Sequence, residues 1–167
     1  MVNPIRLLRH LLTPSWLVHL KFNHAAMQQI AAAIAATENQ HAGEIRFAVE
    51  AALPLADLLK NCDAMGRGVE LFSRLRIWDT EHNNGVLIYL LLADRNVEIV
   101  ADRGIYRKVD ARAWEEIALS MEQMCREGDF VAAVTTGIYG VSRLLGEHFP
   151  ARAHDLNELP DEPVIVA

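Results

Sequence analysis

The sequence predicts an α/β fold, a three-layer α/β/α sandwich whose mixed, mostly parallel sheet includes an antiparallel hairpin. The unbroken apolar run 86–93 indicates a strand that is buried on both faces and therefore needs helices above and below it. The polar turn 94–96 and the alternating segment 97–102 indicate an antiparallel partner nearer the sheet edge. One helix separates a strand at 44–50 from the strand at 86–93, so these two strands are predicted to be parallel.

The first part of the predicted domain is a helix followed by a strand. Residues 25–36 are rich in alanine and place Met27, Ile30 and Ile34 on one helical face. Segment 44–50 alternates between apolar and polar residues, which predicts a strand that is solvated on one face or lies near an edge. Its apolar face carries Ile45, Phe47 and Val49, and its polar face carries Glu44, Arg46 and Glu50.

Three more helices are predicted. Asn61 or Asp63 is the N-cap of the first, Asp110 begins the second, which ends at Gly128, and Asp129 begins the third. The first of these helices is expected to bury a stripe formed by Met65, Val69, Phe72 and Leu75. The aromatic side chains of Trp78, Tyr89 and Trp114 are expected in the core.

The chain divides into three predicted parts. Residues 1–24 form an amphipathic arm, residues 25–150 form the α/β domain, and residues 151–167 form an extended tail that either docks on the domain or is mobile. A length of 167 residues with 51% hydrophobic composition supports one sizeable core and is short for two.

Charge and cysteine content exclude several classes of partner. The net charge of −6 disfavours nucleic acid, because binding the phosphate backbone draws on excess positive charge. Cys62 and Cys125 form no CxxC pair or disulfide framework, which indicates idle thiols in a reducing compartment. We find no signal-peptide pattern and no transmembrane segment, so the expected location is cytoplasmic.

The apolar face of the N-terminal arm can pack against one of three surfaces. Apolar residues between positions 5 and 20 alternate with Arg6, Arg9, His10, His19 and Lys21. The arm can pack on its own domain, on a second copy to give a homo-oligomer, or on a membrane surface. The first two are favoured, because amphipathic helices usually cover cores.

The order of motifs between residues 25 and 150 resembles the TPM-domain family, which includes a thylakoid lumen protein linked to photosystem repair and many bacterial membrane-anchored relatives. The resemblance implies a Rossmann-like α/β/α sandwich, divalent-cation binding, weak acid phosphatase activity for the plant member, and roles in maintaining membrane complexes. This chain is expected to be a cytoplasmic member without signal peptide or membrane anchor. The motifs are Leu71-Phe72, Trp78-Asp79, Asn84-Gly85-Val86-Leu87-Ile88, Asp94-Arg95, Val97-Glu98-Ile99-Val100, Gly104-Ile105, Trp114 and Phe149-Pro150.

Oxygen-bearing side chains collect at both ends of the predicted sheet. Flexible acidic loops can supply the several oxygen ligands that Ca²⁺ or Mg²⁺ needs. The carboxyl ends of parallel strands are where open α/β sheets usually bind ligands, and Asp57 and Asp94 lie there as an alternative metal site. The end with more oxygens is the first candidate, and its proposed ligands are Glu44, Asp79, Asn84 and Asp102.

No catalytic motif or nucleotide-binding loop is recognisable. Four residues separate Cys62 from Arg67, one fewer than in the tyrosine phosphatase loop, and Gly66 and Gly68 lack the third glycine of a dinucleotide loop. We therefore predict a non-enzymatic protein-interaction or assembly module that binds a divalent cation and engages a protein or a membrane-associated complex. A weak metal-dependent acid phosphatase is the alternative.

Overall fold

The computed structural model describes residues 3–151 and 157–166, so parts of the predicted arm and tail (1–2, 152–156 and 167) lie outside the described residues. The helices and strands follow the chain in a fixed order. They are α1 (Pro4–Leu11), α2 (Trp16–Lys21), α3 (His24–Thr37, followed by a 3₁₀ turn, Glu38–Gln40), β1 (Glu44–Glu50), α4 (Leu55–Leu59), α5 (Ala64–Arg74), β2 (Gly85–Leu91), β3 (Asn96–Ala101), α6 (Arg103–Tyr106), α7 (Ala111–Glu127), α8 (Phe130–His148) and β4 (Val164–Val166).

The sheet has the strand order β3-β2-β1-β4. Strands β1 and β2 are parallel, from Glu44 opposite Gly85 to Glu50 opposite Leu91, and β3 pairs with β2 in the antiparallel direction. This confirms the predicted crossover between parallel strands, the hairpin, and the position of β3 at an edge.

Two apolar cores lie on opposite faces of this sheet, because side chains alternate between the faces along each strand. One core joins Phe47, Ile88 and neighbouring strand residues to α3, α7 and α8. The other joins Leu87, Tyr89 and Leu91 to α4 and α5. Helices therefore cover both faces, and the predicted three-layer α/β/α sandwich is confirmed.

The prediction that β1 is solvated on one face is wrong, whereas its alternative, a position near an edge, agrees with the strand order of the described residues, in which only β4 lies outside β1. The tail strand β4 pairs in the parallel direction with the side of β1 that faces away from β2. Six of the seven residues of β1 are buried. The Arg46 guanidinium donates a hydrogen bond to the carbonyl oxygen of Pro160, and Glu50 is bound by Arg67. The polar face of β1 is thus covered by segments distant in sequence, which its local alternation could not reveal.

The predicted start of α5 is confirmed at Asp63, whose Oδ1 accepts a hydrogen bond from the Gly66 N–H at 2.7 Å. Its predicted buried stripe is wrong, because Met65 and Val69 are exposed and Phe72 and Leu75 are only partly buried. The helix instead packs through small residues, and a Cβ added at Gly68 would lie 3.2 Å from a methyl carbon of Val100 on β3. The buried residues of α5 are Ala64, Arg67, Gly68 and Leu71.

Candidate functional site

The first candidate site lies where β1 and β2 begin and β3 ends. The Glu44 N–H donates to the carbonyl oxygen of Asn84 at 3.1 Å, and the Asp102 N–H donates to the carbonyl oxygen of Gly85 at 2.9 Å. The chain thus brings Glu44, Asn84 and Asp102 to the same end of the sheet. We call this end the amino end, because the parallel strands start there.

Loop 77–84 packs tightly against the amino end through two glycines. A Cβ added at Gly85 would lie 2.2 Å from the carbonyl oxygen of Ile77, and one added at Gly104 would lie 2.4 Å from that of Asn83. Any larger residue at these positions would displace the loop. The same loop exposes Trp78, so the prediction that this tryptophan lies in the core is wrong.

Two buried side-chain oxygens at the amino end have no hydrogen-bond donor among the described residues. Asn84 is fully buried; its Nδ2 donates to the carbonyl oxygen of Ala42, and its Oδ1 has no partner. Asp102 is the N-cap of α6, where its Oδ1 accepts a hydrogen bond from the Arg103 N–H at 2.6 Å and its Oδ2 has no partner. Buried polar atoms normally have partners. Asn84 Oδ1 and Asp102 Oδ2 are two of eight buried side-chain polar atoms that have none among the described residues.

The other two predicted ligands are placed differently. Both carboxylate oxygens of Glu44 accept hydrogen bonds from the tail, from the Glu158 N–H at 3.1 Å and the Leu159 N–H at 3.3 Å. Burial raises the pKa of Glu44, although these two bonds act in the opposite direction. Asp79 is exposed in loop 77–84, where its N–H donates to the Arg76 carbonyl oxygen. Glu44 therefore holds the tail, and Asp79 lies at the surface.

A cation at the amino end would depend on few carboxylates. Across residues 3–151 and 157–166, no three His, Cys, Asp or Glu side chains are grouped so that they could hold a metal ion. The Asn84 amide oxygen and the Asp102 carboxylate are ligand types that Ca²⁺ and Mg²⁺ accept, with water and backbone carbonyls completing the shell. The donor types fit a hard cation that remains largely hydrated.

At the carboxyl end of the parallel strands, Asp94 is contacted by three basic side chains of α1. Its carboxylate lies 2.9 Å from Arg6 Nε, 3.4 Å from an Arg9 guanidinium nitrogen and 3.2 Å from His10 Nε2. His10 Nδ1 accepts a hydrogen bond from the Leu53 N–H at 3.0 Å, and burial lowers the pKa of His10. The alternative metal ligand Asp94 is thus already bound to groups of the protein itself.

Asp57 belongs to a buried cluster that the sequence did not predict. Arg67 donates to both carboxylate oxygens of Glu50, at 2.9 and 2.7 Å, and the Tyr89 hydroxyl donates to Glu50 Oε2 at 2.7 Å. Glu70 accepts a further hydrogen bond from Arg67 at 2.9 Å. An Asp57 carboxylate oxygen lies 3.8 Å from an Arg67 guanidinium nitrogen. The hydrogen bonds to Glu50 raise the pKa of Arg67, while burial and the adjacent Glu50 raise that of Tyr89. The available signal was spacing, because Arg67 falls on the same α5 face as Ala64 and Leu71.

Comparisons with known proteins agree with this fold. A family model described as the TPM domain matches residues 21–144. The NMR structure of the BA42 protein from the psychrophilic bacterium Bizionia argentinensis is 27% identical, with a TM-score of 0.75 over 85% of this chain and 93% of that one. The N-terminal domain of a P. gingivalis protein is 17% identical, with a TM-score of 0.58 over 85% and 95% of the respective chains, and shares the fold.

The extent of the family match decides where this chain belongs. No curated protein matches it. None of the helices in the described part of the chain combines the length and apolar character needed to cross a membrane. The match to the TPM domain, however, spans well over half of the sequence. The chain therefore belongs to the TPM domain family.

Proposed function

We propose that this protein is a non-enzymatic interaction module that binds a divalent cation at the amino end of the sheet and presents loop 77–84 to a protein partner. The observation that carries the proposal is that two buried oxygens, Asn84 Oδ1 and Asp102 Oδ2, have no donor within residues 3–151 and 157–166. A bound cation would satisfy both, whereas leaving each unsatisfied costs roughly 1–3 kcal/mol.

The chemistry supports a weak, oxygen-selective site. One carboxylate and one amide supply little negative charge, and Ca²⁺ affinity falls with the number of charged ligands. We expect a dissociation constant of roughly 10⁻⁴–10⁻³ M for Ca²⁺, and looser binding of Mg²⁺, which gives up its water reluctantly. Glu44, at the start of β1, and Asp79, at the surface of loop 77–84, are predicted to assist as further ligands.

Exposed Trp78 supports the protein-binding part of the proposal. The Asn83 and Asn84 backbone joins loop 77–84 to β2, so an ion on Asn84 would restrain the loop that carries this tryptophan. Tryptophan is enriched among the residues that dominate binding energy at protein interfaces. Cation binding would thus stiffen a loop with a large apolar anchor before a partner arrives.

The phosphatase alternative lacks an activated thiol. Burial, followed by the charges of Asp57 and Asp63, raises the pKa of Cys62, and burial raises that of Cys125 to about 11. A thiol nucleophile needs a lowered pKa instead. A metal-activated water at Asp102 is the remaining route to this activity.

Isothermal titration with Ca²⁺ and Mg²⁺ tests the cation site. The wild-type chain should bind with about one ion per chain, and Asp102→Asn, which keeps the shape but removes the charge, should weaken binding by at least tenfold. Asp94→Asn is the matched control at the other end of the sheet and should bind like wild type, provided that circular dichroism shows both variants folded. Equal loss in both variants, or no heat with any of the three proteins, would reject the site.

Hydrolysis of p-nitrophenyl phosphate, measured with Ca²⁺ and with Mg²⁺, distinguishes the non-enzymatic interaction module from the metal-dependent phosphatase. The proposal expects no turnover above buffer with either ion. Turnover that persists in Asp94→Asn and disappears in Asp102→Asn would instead establish the metal-dependent phosphatase.

A further inference from the structure

Helix α1 packs on the domain through its polar side. Arg6 and His10 contact Asp94, and an Arg6 guanidinium nitrogen also donates to the Cys62 carbonyl oxygen at 2.9 Å. Leu7 packs partly against the core on the α5 side. Surface helices usually do the opposite and turn their apolar side toward the core.

The outward side of α1 and α2 is apolar. The side chains of Ile5 and Leu12 are 71% exposed, and Trp16 is 62% exposed. In α2 only Val18 is buried, and Phe22 just after it is buried as well. Six large apolar side chains are exposed within a segment of 16 residues, which is a concentration that marks an interaction surface. They are Ile5, Leu8, Leu11, Leu12, Trp16 and Leu20.

The same segment has the opposite charge from the rest of the chain. Before Glu38 the sequence contains Arg6, Arg9 and Lys21 and no Asp or Glu, whereas the chain as a whole carries a net charge of −6. A helix pair with exposed Leu and Trp side chains and only basic charges has the composition of a segment that lies in a lipid–water interface. Tryptophan in particular is enriched at that interface.

A basic cavity of about 540 Å³ opens beside these helices. Its lining includes Arg9, Lys21, Arg95 and Arg126, and no Asp or Glu among the described residues. Arg9 and Arg126 each have an acidic partner outside the cavity, but Lys21 and Arg95 have no ion pair within the described part of the chain. The Lys21 ammonium lies 5.3 Å from the centroid of the Phe130 ring, which holds it at the cavity.

We propose that α1 and α2 form a docking surface for an anionic phospholipid membrane, with a lipid phosphate bound in the cavity between Lys21 and Arg95. The exposed leucines and Trp16 enter the headgroup region, and Lys21 and Arg95, which have no ion pair within the described part of the chain, face the negative surface. Charge complementarity selects a membrane over a second copy of this chain, because self-association through this surface would place two basic cavities near each other.

Vesicle co-sedimentation with the full chain tests this docking surface. Vesicles of phosphatidylcholine are compared with vesicles that contain about one-third phosphatidylglycerol. Wild type should bind the anionic vesicles and release as salt rises. Each basic residue near an anionic surface contributes roughly fivefold in affinity, so Lys21→Gln with Arg95→Gln should weaken binding by about 30-fold.

Two further variants separate insertion from charge. Leu8→Ser with Leu12→Ser should weaken binding by at least about tenfold without removing any charge. The matched controls are Leu119→Ser, an exposed leucine on α7, and Arg107→Gln, an exposed arginine outside the cavity, and both should bind like wild type. Thermal melting checks that every variant is folded, which is expected because the altered side chains are exposed.

Each other result overturns the proposal. Equal binding to neutral and anionic vesicles removes the charge argument, and equal binding by the variants and their controls removes the surface. Free inorganic phosphate that raises the melting temperature of wild type but not of Lys21→Gln/Arg95→Gln, without vesicle binding, assigns the cavity to a soluble anion. A wild-type dimer that the leucine variant converts to a monomer, without vesicle binding, assigns the surface to a second copy.

Discussion

The two ends of the sheet differ in how they treat carboxylates. At the carboxyl end, Asp94 is contacted by three basic groups of α1, and Glu50 accepts three hydrogen bonds from Arg67 and Tyr89. At the amino end, Asp102 keeps one buried oxygen without a donor in the described structure. The carboxylates at the end where open α/β sheets usually bind ligands are thus already contacted by groups of the protein, whereas Asp102 at the opposite end keeps one oxygen without a donor among the described residues.

This difference shows why the position of an acidic residue in a topology is insufficient to locate a metal site. Asp94 lies where a ligand would be expected from the strand order, yet its charge fixes the N-terminal helix to the domain. A carboxylate becomes available for an ion only when the fold leaves its lone pairs without donors. Three predictions test the contrast between the two ends, in order of expected effect.

The largest effect is expected at the buried cluster. The side chains of Arg67 and Glu50 are 5% and 3% exposed, so Arg67→Met would leave the Glu50 carboxylate buried without its cation. We expect a loss of about 3–5 kcal/mol in the free energy of unfolding, measured by urea denaturation at neutral pH. The double variant Glu50→Leu/Arg67→Met should recover much of this loss, because it removes both charges.

Arg74→Met provides the control on the same helix. Arg74 is 58% exposed and lies 3.8 Å from Glu70, so its removal should cost less than about 1 kcal/mol. If Arg67→Met costs no more than Arg74→Met, the carboxyl end is not held by its buried charge pair, and the contrast between the ends fails.

A smaller effect is expected for Asp94→Asn. This change removes the charge that Arg6, Arg9 and His10 contact, and the loss of charged hydrogen bonds typically costs about 2 kcal/mol. Hydrogen exchange in α1 should be faster in Asp94→Asn than in wild type, whereas exchange in the strands should change less, since the broken ion pairs all belong to α1. Asp129→Asn is the control, because Asp129 is exposed and makes no side-chain cap bond. Unchanged exchange in α1 would show that Leu7 packing and the hydrogen bonds of Arg6 with Cys62 and of His10 with Leu53 hold the helix without Asp94.

The sequence predicted the sheet better than it predicted the candidate site. The apolar run 86–93 and the alternating segment after it depend on local periodicity, which the fold preserves, so β2 and β3 were predicted correctly. The burial of Arg46 and Glu50 depends on partners that local periodicity does not report, Pro160 and Arg67 respectively.

The site was only partly accessible for the same reason. The predicted strand order placed Asn84 just before β2, and the predicted hairpin placed Asp102 at the same end of the sheet. Which oxygen lacks a donor is decided by three-dimensional contacts, such as the bond from Asn84 Nδ2 to Ala42, and has no sequence pattern. Asp94 and Asp102 look alike in sequence, but only the structure shows that Asp94 is contacted by two arginines and a histidine.

The smallest predicted effect concerns like charges near the start of β1. Asn157 donates to both Glu38 and Asp161, and burial, followed by the adjacent Asp161, raises the pKa of Glu38 to about 7. A carboxyl group whose pKa is raised on folding stabilises the protein below its unfolded pKa, about 4.5, and this contribution is lost as the pH rises through about 7.

Glu38→Gln should therefore flatten the dependence of the melting temperature on pH between 5 and 8, and the variant should melt above wild type at pH 8. Because Glu38 is partly exposed, solvent screening should limit the difference to about 3 °C at most. Glu115→Gln, an exposed carboxylate on α7, should follow the wild-type curve. A steeper curve in Glu38→Gln would mean that the ionised carboxylate stabilises the docked tail. Carboxylates at the amino end would then be stabilised by groups of the protein, as they are at the carboxyl end. Asp102 would be the remaining carboxylate by which the two ends differ.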